Sequence, residues 1–359
     1  MRLTKKNITY YLLDKGFLEP DTFMSGDYLL TQTQSRNSIF KIQQENNKGL
    51  FVKQLITQDA TNSYLMQKDA TSHYLIHQSN LYRETAKHIP DYYGYDPYQN
   101  ILVTEYFANT KNVHEVTYRD QKLSKTHAIK MANILASYHF DITNEIKKNS
   151  SLQFFSKQLP WILNTSQLLN ANPKGITNSV IAEIHKHQDL VKKIEKLATQ
   201  WETTSLIHGD IKWMNFIVIP NNEDIKLVDW EIADLGDPLW DVAGVFQSYF
   251  SAWVLSFNNQ NIQQHLQTQG TEFLSIEKIT PIVKILWDTY AKKQEFSAKE
   301  SSKKLIKTLS YMAVRMIQTA FENNMAQSHI YANSVRILQF CNHILEDTSG
   351  IAKQWNLID

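Results

Sequence analysis

Cysteine is nearly missing from this chain: Cys341 is the only one in 359 residues. No intramolecular disulfide can form, and the composition suits a reducing compartment, so a cytoplasmic location is the expectation. The thiol lies in the apolar run 337–344 and reads as a small core residue. An excess of charge is also lacking. Lys and Arg number 37 against 36 Asp and Glu, a formal net charge of +1, so nothing points to nucleic acid or an anionic membrane as an obligatory partner. No apolar run approaches the roughly 20 residues that span a bilayer. No signal peptide is expected, because the first residues carry charges on both sides of a short amphipathic run and no small-residue cleavage site follows. There is no internal repeat and no long low-complexity tract. What remains is an ordinary globular composition, 42% hydrophobic and 20% charged, long enough for two lobes with a core each.

The most informative stretch is 205–241, SLIHGDIKWMNFIVIPNNEDIKLVDWEIADLGDPLWD. His208-Gly209-Asp210 comes first, then Asn215, then Asp229. Two short apolar runs, 216–219 and 225–228, lie between Asn215 and Asp229. The segment 220–224 has the Pro, Asn and Asp of a turn. Loop, strand, turn, strand, loop is the resulting layout, and a hairpin of that kind holds its two ends side by side. Asp210, Asn215 and Asp229 are thus expected at one edge of a small sheet. An amide oxygen and a carboxylate suit a hard cation such as Mg²⁺, which keeps substrate phosphates in its shell. Asp210 is left to accept a proton from an attacking hydroxyl.

This stretch resembles the core of the aminoglycoside phosphotransferase and choline kinase superfamily, the small-molecule branch of the protein-kinase-like fold. The matching elements are His208-Gly209-Asp210, Asn215, Asp229-Trp230-Glu231, Gly236-Asp237-Pro238 and Asp241. The resemblance implies an α+β, two-lobe fold with a small antiparallel-sheet lobe (1–107, with an N-terminal helical cap) and a mostly helical lobe (108–359). It implies ATP and Mg²⁺ as cofactors, Asp210 as catalytic base, and Asn215 and Asp229 as metal ligands. Asp237 and Asp241 are expected to be structural, with Asp241 at a helix start accepting N–H groups of the catalytic loop. Lys212, two residues after the base, is a second catalytic candidate, because protein kinases carry a lysine there that pairs with the transferring phosphate.

Along the chain, 4–18 reads as a helix, 24–32, 38–43 and 50–56 as strands, and 64–78 as a helix. The turn 34–38 falls where the family has its phosphate-covering loop, usually glycine-rich so that backbone N–H groups approach the nucleotide. Here it has no glycine, and Asn37 and Ser38 are the polar candidates; Arg36 is either a stand-in or a solvated loop residue. Lys53 is the one cation in the third strand pattern, and the resemblance assigns it to the α- and β-phosphates. Its expected partner is an acid on the following helix, with Asp69 favoured over Glu84. Segment 90–99 reads as a loop and 101–107 as a buried strand. The strand leads into a hinge where backbone groups of Glu105 and Phe107 would meet adenine. Beyond it, helices are expected over 125–140, 152–169, 181–201, 242–257, 281–290, 303–323 and 333–346, with Thr280 capping and Pro281 at the first helical position. His139 reads as a satisfied core histidine.

The acceptor is the open part of the reading. Lys and Arg slightly outnumber Asp and Glu over 242–359, which argues mildly against a polycationic aminoglycoside. A small-molecule hydroxyl is the first expectation. A peptide hydroxyl is the alternative, because Arg36-Asn37-Ser38-Ile39-Phe40 and Leu50-Phe51-Val52-Lys53-Gln54 are similar to the phosphotransferase subunits of class V lanthipeptide synthetases. A pseudokinase or binding module is the third reading, suggested by the glycine-free turn and by aspartate at position 69.

Overall fold

The structure is a computed structural model and describes residues 1–24, 28–34, 36–44, 49–57, 59–145, 150–165, 179–220, 224–256, 272–325 and 329–359. By compactness the chain falls into two units, Met1–Val113 with Met214–Ala233, and His114–Trp213 with Asp234–Asp359. The division is not linear: the hairpin within Met214–Ala233 returns to the first unit.

The first unit is built on an antiparallel sheet of five strands in the order β1-β2-β3-β5-β4. They are β1 (Tyr28–Gln34), β2 (Asn37–Gln44), β3 (Gly49–Leu55), β4 (Tyr92–Asp96) and β5 (Ile101–Tyr106). Side chains alternate across a strand, and the sheet separates its two faces cleanly. Phe40, Ile42, Leu50, Val52, Ile101 and Val103 pack under Leu3, Ile8, Tyr11, Leu12 and Leu18. The N-terminal segment is therefore a cap on this face, but its helix is shorter than 4–18. It runs Ile8–Asp14, and a second short helix follows at Pro20–Met24. The residues between, in the opposite parity, point to the other face. Ile39, Lys53 and Leu102 sit in one row across β2, β3 and β5, and Lys41, Phe51 and Thr104 in the next.

Two expectations for this unit need correction. Segment 90–99 contains strand β4, which pairs with β5 through a bulge between Tyr92 and Gly94. The strand expected at 24–32 begins only at Tyr28, because Met24 ends the short Pro20–Met24 helix. The helix after β3 spans Ala60–Gln78 and starts at Asp59, whose side chain accepts the Asn62 N–H. The hairpin of the 205–241 stretch is present as Phe216–Val218 and Ile225–Leu227, and Lys111–Asn112 adds a third strand beside Phe216–Val218. The Val228 N–H donates to Asn215 O at 3.0 Å. That bond ties the two ends of the hairpin together, with Asn215 on one side and Asp229 on the other.

The second unit is helical, with a two-stranded sheet of Ser205–Ile207 and Asp234–Gly236. Helix Lys125–Glu145 packs on Ile276–Lys293, and Ala298–Asn323 packs on both Pro238–Leu255 and Ala332–Glu346. The long helix Ala298–Asn323 opens on a capping box of Ser297 and Glu300, which satisfies two otherwise orphaned N–H groups. Pro281 does not start its helix; Ser275 precedes Ile276–Lys293 and the proline lies inside it. The helix expected over 152–169 does not run through 152–164, where a 3₁₀ turn, Ser150–Phe154, gives way to irregular chain and a turn at 161–163; of its described part only Thr165 is helical. The remainder of that helix and the loop 170–178 lie outside the described residues. The pattern at 181–201 resolves into two helices, Ser179–Lys186 and Gln188–Ala198. Cys341 is buried on Ala332–Glu346, and burial pushes its thiol pKa up. Among the described residues no helix is long and apolar enough to cross a membrane.

Candidate active site

Lys53 is the centre of the site in the first unit. Its ammonium donates to Asp69 Oδ2 at 2.9 Å, to Asp229 Oδ1 at 2.9 Å and to Glu231 Oε2 at 3.0 Å. The lysine side chain is 8% exposed and that of Asp69 4%, whereas Asp229 is 39% exposed and faces solvent. Burial alone would lower the lysine pKa; the carboxylates, Asp69 foremost, outweigh it and hold the ammonium above the ordinary lysine value. Asp69 is further fixed by the Trp230 N–H, which donates to its Oδ1 at 3.1 Å. Glu84, the other acid considered, lies on the short helix Arg83–Ala86 and pairs with Lys87 on the surface. His73, one turn after Asp69, is buried 3.8 Å from it, and burial pushes the imidazole pKa down to about 4. It is neutral at pH 7 and does not offset the aspartate.

Sequence pattern alone gives Glu231 no separate role, although it stands in the Asp229-Trp230-Glu231 motif. Its second oxygen pairs with Arg36, whose side chain is half exposed. Lys53 and Arg36 thus face Asp69, Asp229 and Glu231, leaving one negative charge in excess. Glu231 lies 178 residues from Lys53 and 195 from Arg36 in sequence, which is why pattern reading misses this acid.

The expected phosphate-covering turn is differently built. Asn37 and Ser38 are not in a turn: β2 begins at Asn37, because its ladder with β3 extends to Asn37 opposite Leu55. They are 5% and 1% exposed, and Ser38 Oγ accepts a hydrogen bond from Gln32. Neither lines the cavity described next. Arg36 is the polar side chain that the turn sends towards the lysine.

Beside Lys53 is a cavity of about 290 Å³. Ile39, Phe51, Leu102, Phe107, Ile217 and Val228 form an apolar slot, and Lys53, Asp69, Asn215 and Asp229 form its polar end. Its size and its mix of apolar walls with a few convergent polar groups are those of a small-ligand site. Glu105 and Phe107 are at its rim. The Glu105 N–H donates to Asp91 O at 2.9 Å, so that group is committed to the fold. The Phe107 carbonyl accepts from Thr110 Oγ1 at 3.1 Å. Segments 36–40 and 50–54, which carry the resemblance to the lanthipeptide subunits, prove to be the turn and the adjacent strands β2 and β3. They build the cavity wall and carry no information about an acceptor.

Asp229 has φ +71°, a left-handed conformation that aspartate tolerates but that costs free energy and collects at functional sites. Among the described residues no cluster of three or more His, Cys, Asp or Glu side chains is arranged to hold a metal. Two protein donors, the Asn215 amide oxygen and the Asp229 carboxylate, nevertheless fit a cation of the Mg²⁺ kind. Such a cation is bound through one or two carboxylates and takes its other ligands from water and phosphate.

Within the second unit, Asp210 lies in a loop held through its backbone. Asp241, fully buried in the first turn of Pro238–Leu255, accepts the His208 N–H at 2.6 Å and the Gly209 N–H at 3.0 Å. Tyr138 donates to the same carboxylate at 2.5 Å. His139 lies between Asp241 and the Tyr290 hydroxyl, with burial lowering its pKa; it is a satisfied core histidine. Asp237 caps the same helix by accepting the Leu239 N–H. Gly209 has φ +80°, which a side chain would resist. Lys212 Nζ donates to Asp210 Oδ2 at 2.6 Å, and both side chains are partly exposed.

The profile of the phosphotransferase enzyme family matches residues 98–275. Three solved structures share the fold along nearly the whole chain. An aminoglycoside 2′-phosphotransferase-IIIa mutant in complex with GDP has a TM-score of 0.53 at 12% identity, over 97% of this chain and 98% of its own. An amicoumacin kinase in complex with AMP-PNP and Ca²⁺ has 0.53 at 12%, over 96% and 97%. A choline/ethanolamine kinase family protein from Mesorhizobium loti has 0.51 at 12%, over 96% and 97%. At such identities the likeness is one of fold. Among curated proteins, mouse acyl-CoA dehydrogenase family member 10 is 29% identical over 102 residues, which is 28% of this chain and 9% of that protein; the chain thus spans only a small part of that relative. The 205–241 motif and the profile match over 98–275 make the chain similar to the phosphotransferase enzyme family, and its sheet-bearing and helical units carry the fold of these aminoglycoside, amicoumacin and choline/ethanolamine kinase structures.

Proposed function

We propose that the protein transfers the γ-phosphate of ATP, with Mg²⁺, to the hydroxyl of a small molecule. The observation that carries this is Lys53, 2.9 Å from both Asp69 and Asp229 at the polar end of an apolar cavity. The slot between Ile39, Phe51, Leu102 and Val228 suits a flat nucleobase. The Phe107 N–H and the Glu105 carbonyl are the rim groups that could pair with it. Lys53, oriented by Asp69, would bind the α- and β-phosphates, and Arg36 would exchange Glu231 for a phosphate oxygen. Asn215 and Asp229 would hold the metal. Mg²⁺ there supplies charge neutralisation on the phosphates. Asp210 would take the proton of the acceptor hydroxyl as its oxygen bonds to phosphorus and ADP leaves, with Lys212 beside the transferring group. The first unit is thus the nucleotide lobe and the second the lobe of the base and the acceptor.

Aspartate at 69 does not weigh towards a pseudokinase, since it reaches the lysine in spite of its shorter arm. The near balance of charge over 242–359 favours a neutral or weakly charged acceptor over a polycation. The test is γ-phosphate transfer from ATP by the wild type and by Asp229→Ala, with melting followed in parallel. The expected result is loss of Mg²⁺-dependent turnover in a folded variant. A folded Asp229→Ala protein with wild-type turnover would overturn the proposal.

A further inference from the structure

Arg315 is a buried cation for which the phosphotransfer scheme above has no use. It lies in the middle of helix Ala298–Asn323 and is 6% exposed. Among the described residues no carboxylate is within ion-pair distance of it. Asp241 and Asp210 favour its charge from beyond contact distance, but burying a charge without a direct ion pair is expensive, so what the guanidinium does contact is informative. Nη1 donates to Gly209 O at 3.3 Å and Nη2 to Ile211 O at 3.1 Å. Nε donates to Gln247 Oε1 at 2.8 Å, and the Gln247 amide donates back to Arg315 O at 3.1 Å. The guanidinium carbon stands 4.8 Å from the ring centroid of Trp240, a cation–π contact that compensates part of the lost hydration.

Gly209 and Ile211 are the neighbours of Asp210 on either side. Asp241 holds the N–H groups of His208 and Gly209, and Arg315 holds the carbonyls of Gly209 and Ile211. The loop is therefore gripped by an anion through its donors and by a cation through its acceptors. A second feature points the same way. A Cβ at Gly244 would stand 2.5 Å from Ile211 O and 3.0 Å from Arg315 Nη2. The Pro238–Leu255 helix is thus bare at the position where the arginine passes to reach the loop.

We infer that Arg315 is a positioning residue for Asp210, fixing the peptide planes on both sides of it so that the carboxylate meets the acceptor hydroxyl in one orientation. A planar fork with donors at fixed angles can hold two carbonyls at once, whereas the point charge of a lysine serves one. This inference rests on Asp210 being the catalytic base.

The test uses the full chain as wild type, Arg315→Lys, Arg315→Met, Asp210→Asn and both double variants. Turnover and KM for ATP are measured, with hydrogen exchange of the peptide covering 206–214. Misplacement of a reacting group costs about 10²-fold. Arg315→Met should therefore lower kcat by about that factor, Arg315→Lys by less, and KM for ATP should stay within about twofold, because nucleotide groups are not moved. In the Asp210→Asn background either Arg315 change should cost nothing further, since the residue acts through Asp210. An additive loss on Asp210→Asn, or wild-type kcat in Arg315→Met, would overturn the inference. Should Arg315→Met fail to fold, the Arg315→Lys cycle decides by the same criterion. A wild type without turnover would remove the base assignment itself, and exchange then decides: faster exchange over 206–214 in Arg315→Lys supports the grip on the loop, and unchanged exchange refutes it.

Discussion

Asp69→Asn is the perturbation that probes the lysine site most cleanly, because it keeps size and removes one charge. Asp69 makes the most buried of the three contacts to Lys53, and it also accepts the Trp230 N–H. The asparagine retains an acceptor for Trp230 but loses a charge-assisted bond worth about 1.5–3 kcal/mol. The loss stays below the roughly 3–5 kcal/mol of a buried pair left uncompensated, because Asp229 and Glu231 remain beside the ammonium. At about 2–4 °C per kcal/mol for domains of this order of size, melting should fall by about 3–12 °C. Lys53 would then be drawn towards Asp229 and Glu231, away from the position at which Asp69 holds it. Nucleotide affinity should drop about tenfold, or ~1.4 kcal/mol. Thermal unfolding and calorimetry with a non-hydrolysable ATP analogue measure the two effects. Glu84→Gln is the control and should change neither, since Glu84 pairs with Lys87 on the surface. Unchanged melting and affinity in Asp69→Asn would refute the reasoning that Asp69 orients the lysine.

Stability should fall as pH drops from about 6.5 towards 4. In that window the unfolded chain protonates histidine while His73, with its pKa pushed down to about 4 by burial, stays neutral in the fold. The contribution is fully present above 6.5 and amounts to at most about 3 kcal/mol at ~1.4 kcal/mol per pK unit. His73→Leu should flatten the melting temperature between pH 7 and 5, and an unaltered slope would exclude His73 as its source. Gly244→Ala should destabilise by about 1–3 kcal/mol through overpacking, since its Cβ would press on Ile211 O; a melting curve like that of the wild type would show that the loop yields. Arg36→Gln should raise KM for ATP with little change in kcat, because Arg36 would touch phosphate and not the acceptor; a kcat loss at unchanged KM would place it elsewhere.

The parts of the molecule legible in the sequence are those whose signals are local. The hairpin around Pro220, the Asn215 and Asp229 at its ends and the helix-start aspartate at 241 all follow from spacing and turn chemistry within forty residues. Lys53 is visible as a lone cation in an apolar strand. Strand β4 is not, because Tyr92–Asp96 is half-buried throughout, so it shows no alternation, and it carries Gly94 between Pro90 and Pro97. Gly94 is there because the Phe17 ring lies where its Cβ would be, 2.8 Å away, a fact of packing with no sequence signal. A helix over 152–169 follows from apolar content only if Pro160 is passed over, and its missing N–H and ring oppose a continuous helix. Glu231 and Arg315 escape notice for a common reason: each works on a group more than a hundred residues away, and only the fold brings them together.

One comparison, made in the same assay, bears most directly on the role of Asp210: γ-phosphate transfer and nucleotide affinity in the wild type and in Asp210→Asn. If Asp210 takes the acceptor proton, turnover should fall about 10²–10⁴-fold, while ATP affinity stays nearly unchanged because Lys53, Asn215 and Asp229 are intact. Wild-type turnover in Asp210→Asn, or loss of ATP binding in step with rate, would contradict it.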